Sequence, residues 1–194
     1  MKKNIPQSVP SVEQLSRELN RIQYKSRFRN IFKSTLYTLI TVAAIAVLVA
    51  TLWLPVLQIY GNSMTPTLYN GDILFTVKTS KLEQGDIVAF YYNNKILVKR
   101  LICGPGDWFN MDHDGTVYVN GVKLEESYIQ EPAFGETNIQ LPYQVPDEKV
   151  FVVGDHRSTS VDSRNTAVGC VAEEQIVGKI VFRIWPINQF GPIH

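Results

Sequence analysis

The feature that most limits what this chain can become is a long stretch without charge. Residues 34–71 contain no Asp, Glu, Lys, Arg or His. The apolar centre, residues 36–57, would be about 33 Å long as an α-helix at ~1.5 Å per residue, against a hydrocarbon core of about 30 Å. Tyr37 and Trp53 stand near its two ends, where amphipathic rings favour the membrane interface. So long an uncharged run favours a membrane span over a buried helix of a soluble protein. Lys2, Lys3, Arg17, Arg21, Lys25, Arg27, Arg29 and Lys33 precede it, with only Glu13 and Glu18 against them. Positive charge flanking a span stays in the cytoplasm, so the residues after about Ile59 are expected outside. A cleaved signal peptide would have a shorter apolar core followed by a small-x-small site. Pro55 and bulky residues follow instead, which favours a retained anchor. The chain then divides into a cytoplasmic basic tail (1–33), a transmembrane anchor (34–58) and an extracytoplasmic domain (59–194). Within the tail, Leu15, Leu19, Ile22 and Ile31 are unevenly spaced, so a solvated segment is favoured over an amphipathic helix.

The 194 residues suffice for one anchor and one domain with a real core. Lys+Arg 19 against Asp+Glu 18 gives no argument for a nucleic-acid partner. Cys103 and Cys170 fix no disulfide framework by themselves. Outside the cytosol a bridge is allowed, and two separate buried thiols are the alternative. His113, His156 and His194 show no ligand spacing, so neither a metal nor a cofactor is expected.

The outer domain reads as mostly β. Residues 72–78, 86–92 and 95–102 are rich in β-branched and aromatic side chains. Residues 116–124 place Asn120-Gly121 between two apolar stretches, a hairpin signal because both turn positions need positive φ. Residues 149–153 and 179–185 complete the strands, and 173–176 suits a short helical turn. Residues 125–146, with three prolines, read as a long excursion or a poorly ordered loop.

Three stretches carry candidate chemistry. Ser63 follows Gly61-Asn62 and precedes Pro66, so small residues and a proline hold a tight backbone. That suits a nucleophile whose own amide faces a developing oxyanion. A serine nucleophile needs a base. Lys99 sits among Ile96, Leu97, Val98 and Leu101. A lysine with its ordinary pKa near 10.4 cannot accept a proton at neutral pH, but desolvation lowers that pKa. A neutral amine beside a hydroxyl is then a competent base. In a strand Lys99 shares a face with Leu97, and Val98 with Arg100, so one of the two basic residues is expected inside and the other in solvent. The third stretch, residues 154–164, is dense in hydroxyls and paired charges, which can bond a neutral lysine and lock a loop.

These residues resemble the bacterial type I signal peptidases, of the small single-anchor kind found in Gram-positive bacteria. The matching motifs are Ser63-Met64-Thr65-Pro66-Thr67-Leu68, Gly85-Asp86-Ile87-Val88, Lys99-Arg100 through Gly106-Asp107, and Gly154-Asp155-His156-Arg157 through Arg164. They follow one span in the family's order. The resemblance implies an antiparallel β catalytic domain behind one N-terminal transmembrane helix. It implies a serine endopeptidase that cuts exported preproteins after a small-x-small motif such as Ala-x-Ala. By that resemblance Ser63 is the nucleophile and Lys99 the general base. Ser160 would bond the lysine, while Asp162 and Arg164 would form a structural ion pair. Leu57, Ile59, Met64, Leu68 and Val98 would line pockets for small side chains. The implied partners are secretory preproteins and the lipid bilayer, with no obligate partner chain. Two departures stand out. His156 replaces the usual Asn, and Cys103-Gly104 replaces Gly plus an apolar residue. Gly61 stands where some members place a hydroxyl for the oxyanion. A non-catalytic assembly factor of the same fold, and a peptidase dedicated to one pilin-type substrate, are the alternatives.

Overall fold

The computed structural model describes residues 11–53, 56–79 and 81–193. The first ten residues of the expected tail, Pro55 and His194 lie outside the described residues. The chain forms two units, Met1–Trp53 and Leu54–His194.

The first unit is one helix, α1 (Val12–Trp53). Ser11 and Gln14 cap its start reciprocally. The Gln14 amide donates to Ser11 Oγ at 3.3 Å, and the Ser11 amide to Gln14 Oε1 at 3.1 Å. Ion pairs Glu13–Arg17 (3.0 Å) and Glu18–Arg21 (3.3 Å) follow on the helix surface. Residues 12–33 are therefore helical, where a solvated tail was expected. The cap and the charge pairs offset the uneven apolar spacing. The helix is long and apolar enough to cross a membrane by length and composition.

The second unit is antiparallel β. Its strands are β1 (Val56–Gln58), β2 (Ile73–Val77), β3 (Ile87–Tyr92), β4 (Lys95–Cys103), β5 (Trp108–Met111), β6 (Val117–Val119), β7 (Val122–Lys123), β8 (Tyr143–Gln144), β9 (Lys149–Val153), β10 (Val171–Ala172), β11 (Ile176–Trp185) and β12 (Gly191–Pro192). One sheet runs β1-β2-β11-β3-β4-β9-β10, with β12 on β11; a smaller one runs β7-β6-β5-β8. The Asn120-Gly121 turn joins β6 to β7 with φ of 54° and 80°, as both positions of a type I′ hairpin require.

Successive residues of the central strands enter different cores, as the period of two demands. Ile87 packs with Ile59, Met64, Leu68, Leu74 and Ile180. Its neighbour Val88 packs with Phe90, Leu101, Val150 and Val152 on the other side. Ile102, Phe151 and Val153 join Phe109, Met111 and Val117 in a third cluster, where Phe109 and Phe151 stack at 4.2 Å. Both faces of β3 and β9 are thus covered, which explains why their sequences are apolar runs rather than alternations.

Cys103 and Cys170 are free, for a topological reason. Cys103 pairs with Phe151 on one edge of β9, and Val171 pairs with Val150 on the other, so Phe151 stands between the two cysteines. Two strand spacings are about 10 Å, beyond the ~7 Å that a bridge tolerates. Burial pushes the Cys103 thiol up to about 12, so it acts as a small core side chain.

Residues 125–146 are a docked excursion rather than a loose loop. Phe134, Ile139, Leu141 and Tyr143 pack on the third cluster, and Val145 is buried in it. Arg164 donates to the carbonyls of Ala133 (3.3 Å) and Phe134 (3.1 Å), and Arg157 pairs with Glu126. Gly135, at φ 60°, allows this approach: a Cβ there would stand 2.4 Å from the Arg157 carbonyl oxygen.

Candidate active site

Ser63 is carried by a short turned segment between β1 and β2. Ile59 enters it with its amide on the Asp72 carbonyl (2.9 Å) and its carbonyl taking the Gly71 amide (2.9 Å). Gly61 then turns the chain at φ 91°, a conformation that favours glycine. The Leu68 amide donates to the Met64 carbonyl at 2.8 Å and closes a tight turn that carries the Met64 and Leu68 side chains. Both are buried, in the cluster with Ile59 and Leu74. They pin the turn to the sheet and leave Ser63 at the cleft. Thr67 fixes the far end: its hydroxyl donates to Asp155 Oδ2 at 2.5 Å, and its carbonyl accepts from Arg183.

Lys99 lies on β4 opposite Val88 of β3. Its side chain is 3 % exposed, and its Nζ lies 2.6 Å from Ser63 Oγ. Burial lowers its pKa from 10.5 to about 8. The Asp162 charge opposes that drop, the Arg164 charge adds to it, and Asp155 opposes it. At pH 7 about one molecule in ten therefore holds a neutral amine, against about one in three thousand at the ordinary value.

Arg100 corrects one expectation. It was expected in solvent if Lys99 faced inward, yet it is also buried, at 2 % exposure. Its Nε and Nη2 donate to Asp155 at 2.9 and 2.8 Å, and its Nη1 to the Gly85 carbonyl at 2.7 Å. The Tyr128 ring covers the guanidinium at 3.9 Å. The excursion over 125–146 supplies that ring, so a face that strand alternation alone sends to water is roofed.

The 154–164 segment closes the site from the other side. The His156 amide donates to the Ser63 carbonyl at 3.1 Å, and His156 Nδ1 meets Thr65 Oγ1 at 3.2 Å. Asp162 and Arg164 are fully buried and pair at 2.8 Å, and Asp162 also takes the Gly154 amide at 3.0 Å. Burial pushes the Asp162 carboxyl up, but the Arg164 hydrogen bond and charge outweigh it and hold the group below the usual carboxylate range. Ser160 is buried beside Gly154, and its Oγ makes no hydrogen bond to Lys99. Gly154 leaves no room for a side chain: a Cβ would stand 2.1 Å from Ser160 Oγ and 2.6 Å from the Ser63 carbonyl oxygen.

A cavity of about 650 Å³ opens beside the serine and lysine. Leu57, Ile59, Met64 and Val98 line it with Ser63 and Lys99. Leu68 does not, because it is buried beneath the turn. Gln58, Tyr60, Lys95, Ile96 and Leu97 also line it and were not singled out from sequence. The signal for Lys95, Ile96 and Leu97 was available in the strand-like run over 95–102, whereas nothing local marks Gln58 and Tyr60. Glu126 and Tyr128 were missed as well, because nothing local marks where the excursion docks.

A family model described as signal peptidase, peptidase S26, matches residues 32–185. Signal peptidase I T of Bacillus subtilis (strain 168) is 39% identical over 142 residues, covering 66% of this chain and 72% of its own. Signal peptidase IB of Staphylococcus aureus (strain Mu50) is 39% identical over 152 residues, covering 68% and 78%. A solved signal peptidase I from Enterococcus faecalis V583 is 30% identical with a TM-score of 0.43, covering 53% of this chain and 98% of its own. The family model and the two relatives indicate a serine endopeptidase, and the chain belongs to the signal peptidase family, peptidase S26.

Proposed function

We propose that this chain is a membrane-anchored endopeptidase that removes signal peptides by cutting after a small-x-small motif, with Ser63 as nucleophile and Lys99 as general base. The observation that carries this is the buried amine of Lys99, 2.6 Å from Ser63 Oγ, at the edge of an apolar groove. The neutral amine takes the hydroxyl proton as Ser63 Oγ attacks the scissile carbonyl. The tetrahedral intermediate collapses to an acyl-enzyme, and the ammonium returns the proton to the leaving amine. Lys99, neutral again, then takes a proton from the water that releases the acyl group. Leu57, Ile59, Met64 and Val98 give the −1 and −3 side chains an apolar bed, while Leu68 supports it from below. Asp162 and Arg164 hold the segment whose His156 amide grips the Ser63 carbonyl.

Helix α1 serves as the anchor. Its charge-free part, residues 34–53, is about 30 Å long, and its basic flank sets the N-terminus in the cytoplasm. Anchoring would raise the local concentration of an emerging signal peptide at the site. The test is cleavage of a model preprotein in detergent by the wild type, Ser63→Ala and Lys99→Ala. Cutting after the small-x-small site by the wild type alone, with both variants folded, is expected. Full activity in Lys99→Ala would place the base elsewhere.

A further inference from the structure

The peptide bond between Asn62 and Ser63 holds two opposed groups in one plane, the Asn62 carbonyl and the Ser63 amide. Whatever fixes the carbonyl therefore aims the amide. Thr65 holds that carbonyl twice, its amide donating at 3.2 Å and its hydroxyl at 2.9 Å. The Ser63 amide, by contrast, donates to no described residue. It belongs to the nucleophile itself, so it is at hand for the oxyanion of a carbonyl that Ser63 Oγ attacks. Gly61 beside it brings no side-chain donor.

A further link stands behind Thr65. His156 Nδ1 lies 3.2 Å from Thr65 Oγ1. A hydroxyl has one proton, and here it goes to the Asn62 carbonyl, which has none to give. Thr65 Oγ1 therefore accepts from His156, and the hydrogen-bond network assigns a proton to Nδ1, as in the imidazolium and in one neutral tautomer. The His156 backbone amide donates to the Ser63 carbonyl at 3.1 Å, so one residue grips the peptide units on both sides of Ser63. That residue is itself held: its carbonyl takes the Ser160 amide at 3.1 Å, and the adjoining Asp155 is paired with Arg100. We propose that His156 is a positioning residue for the oxyanion: its ring, through the Thr65 hydroxyl and the Asn62 carbonyl, aims the Ser63 amide at the developing charge. Groups bonded in series also polarise one another, which makes that amide a stronger donor. This rests on the reading of Ser63 as the nucleophile and deepens it, giving a role to the histidine that replaces the usual Asn.

The experiment uses the full-length chain in detergent, a model preprotein and two peptide probes ending in Ala-x-Ala, one a C-terminal aldehyde and the other the matching alcohol. Ser63 Oγ adds to the aldehyde carbon, its proton passes to Lys99, and the carbonyl oxygen becomes the oxyanion; the alcohol forms no such bond. His156→Ala and Thr65→Val are each expected to lower kcat about tenfold with KM within about twofold, less than the ~100-fold of an oxyanion donor lost outright, because the amide stays and only its aim is lost. Each should weaken aldehyde binding by the same factor and leave alcohol binding unchanged. The double variant should be no worse than either single one, since both break one chain of bonds. His156→Asn presents an N–H near the Nδ1 position and should restore most of the turnover, whereas His156→Asp, of the same size but only an acceptor when ionised, should not. Losses that multiply in the double variant, or an equal fall in aldehyde and alcohol affinity, would overturn the inference while the wild type still cut. A wild type that neither cuts the preprotein nor binds the aldehyde through Ser63 would overturn the nucleophile reading and the inference with it.

Discussion

Replacing Lys99 by Met should make the protein more stable at neutral pH while abolishing its activity. Met is close to Lys in length, has no charge and packs well in irregular spaces. The fall from 10.5 to about 8, at about 1.4 kcal/mol per pKa unit, means that the fold holds the ammonium at a cost of about 3 kcal/mol. Removing the side chain also removes its 2.6 Å contact with Ser63 Oγ, a loss of about 1 kcal/mol. The net expectation at pH 7 is a gain of about 2 kcal/mol. Its pH dependence is the stronger test. Below about pH 8 Lys99 is protonated in both folded and unfolded chains, so the full cost is present. Between about 8 and 10.5 the unfolded chain keeps a proton that the folded one has released, so wild-type stability rises with pH. Above 10.5 both forms are neutral and the cost is gone, leaving Lys99→Met the less stable by about 1 kcal/mol. Urea unfolding in detergent, followed by fluorescence of Trp108 and Trp185 in the β unit, would measure the difference at several pH values. Comparing the two proteins at each pH cancels the titration of every other group. If Lys99→Met is destabilised equally at pH 7 and above pH 10.5, burial does not set the charge of Lys99.

Three further outcomes follow from the same geometry. The logarithm of kcat/KM should rise with a slope near one up to about pH 8 and then level off, as the Lys99 amine becomes neutral; a flat profile from about pH 6 upward would remove the lysine base. Gly154→Ala should lower kcat at least about 100-fold, because its methyl group would displace Ser160 or the Ser63 carbonyl; near-wild-type turnover would show that the Ser63 segment tolerates movement. Asp155→Ala leaves the buried Arg100 guanidinium unpaired and should cost about 3–5 kcal/mol in unfolding measurements, with a change below about 1 kcal/mol counting against that pairing.

The chemistry was readable wherever it depends on local composition. Ser63 stands out because Gly61 and Pro66 constrain the backbone around it. Lys99 stands out because apolar neighbours surround it in an eight-residue strand-like run. The Asn120-Gly121 hairpin is written into two residues. Less was readable where short strands are concerned: β1, β8, β10 and β12 have only two or three residues each, too few for a period of two to show.

By itself the sequence determined the anchor-length helix and the mostly β class, and it marked Ser63 and Lys99 as candidates for the proposed reaction. Each of these follows from near-neighbour physics: charge-free length, β-branched runs, or one amine among apolar side chains. Only the tertiary structure decided that Arg100 is buried beside Lys99, because Asp155 and Tyr128 come from segments 55 and 28 residues away in number. It alone decided that residues 125–146 dock through Arg157 and Arg164. It alone kept Cys103 and Cys170 apart, with β9 between them. These outcomes depend on which strands become neighbours. Strand neighbours are chosen by the packing of both faces of a sheet, which no window of sequence contains.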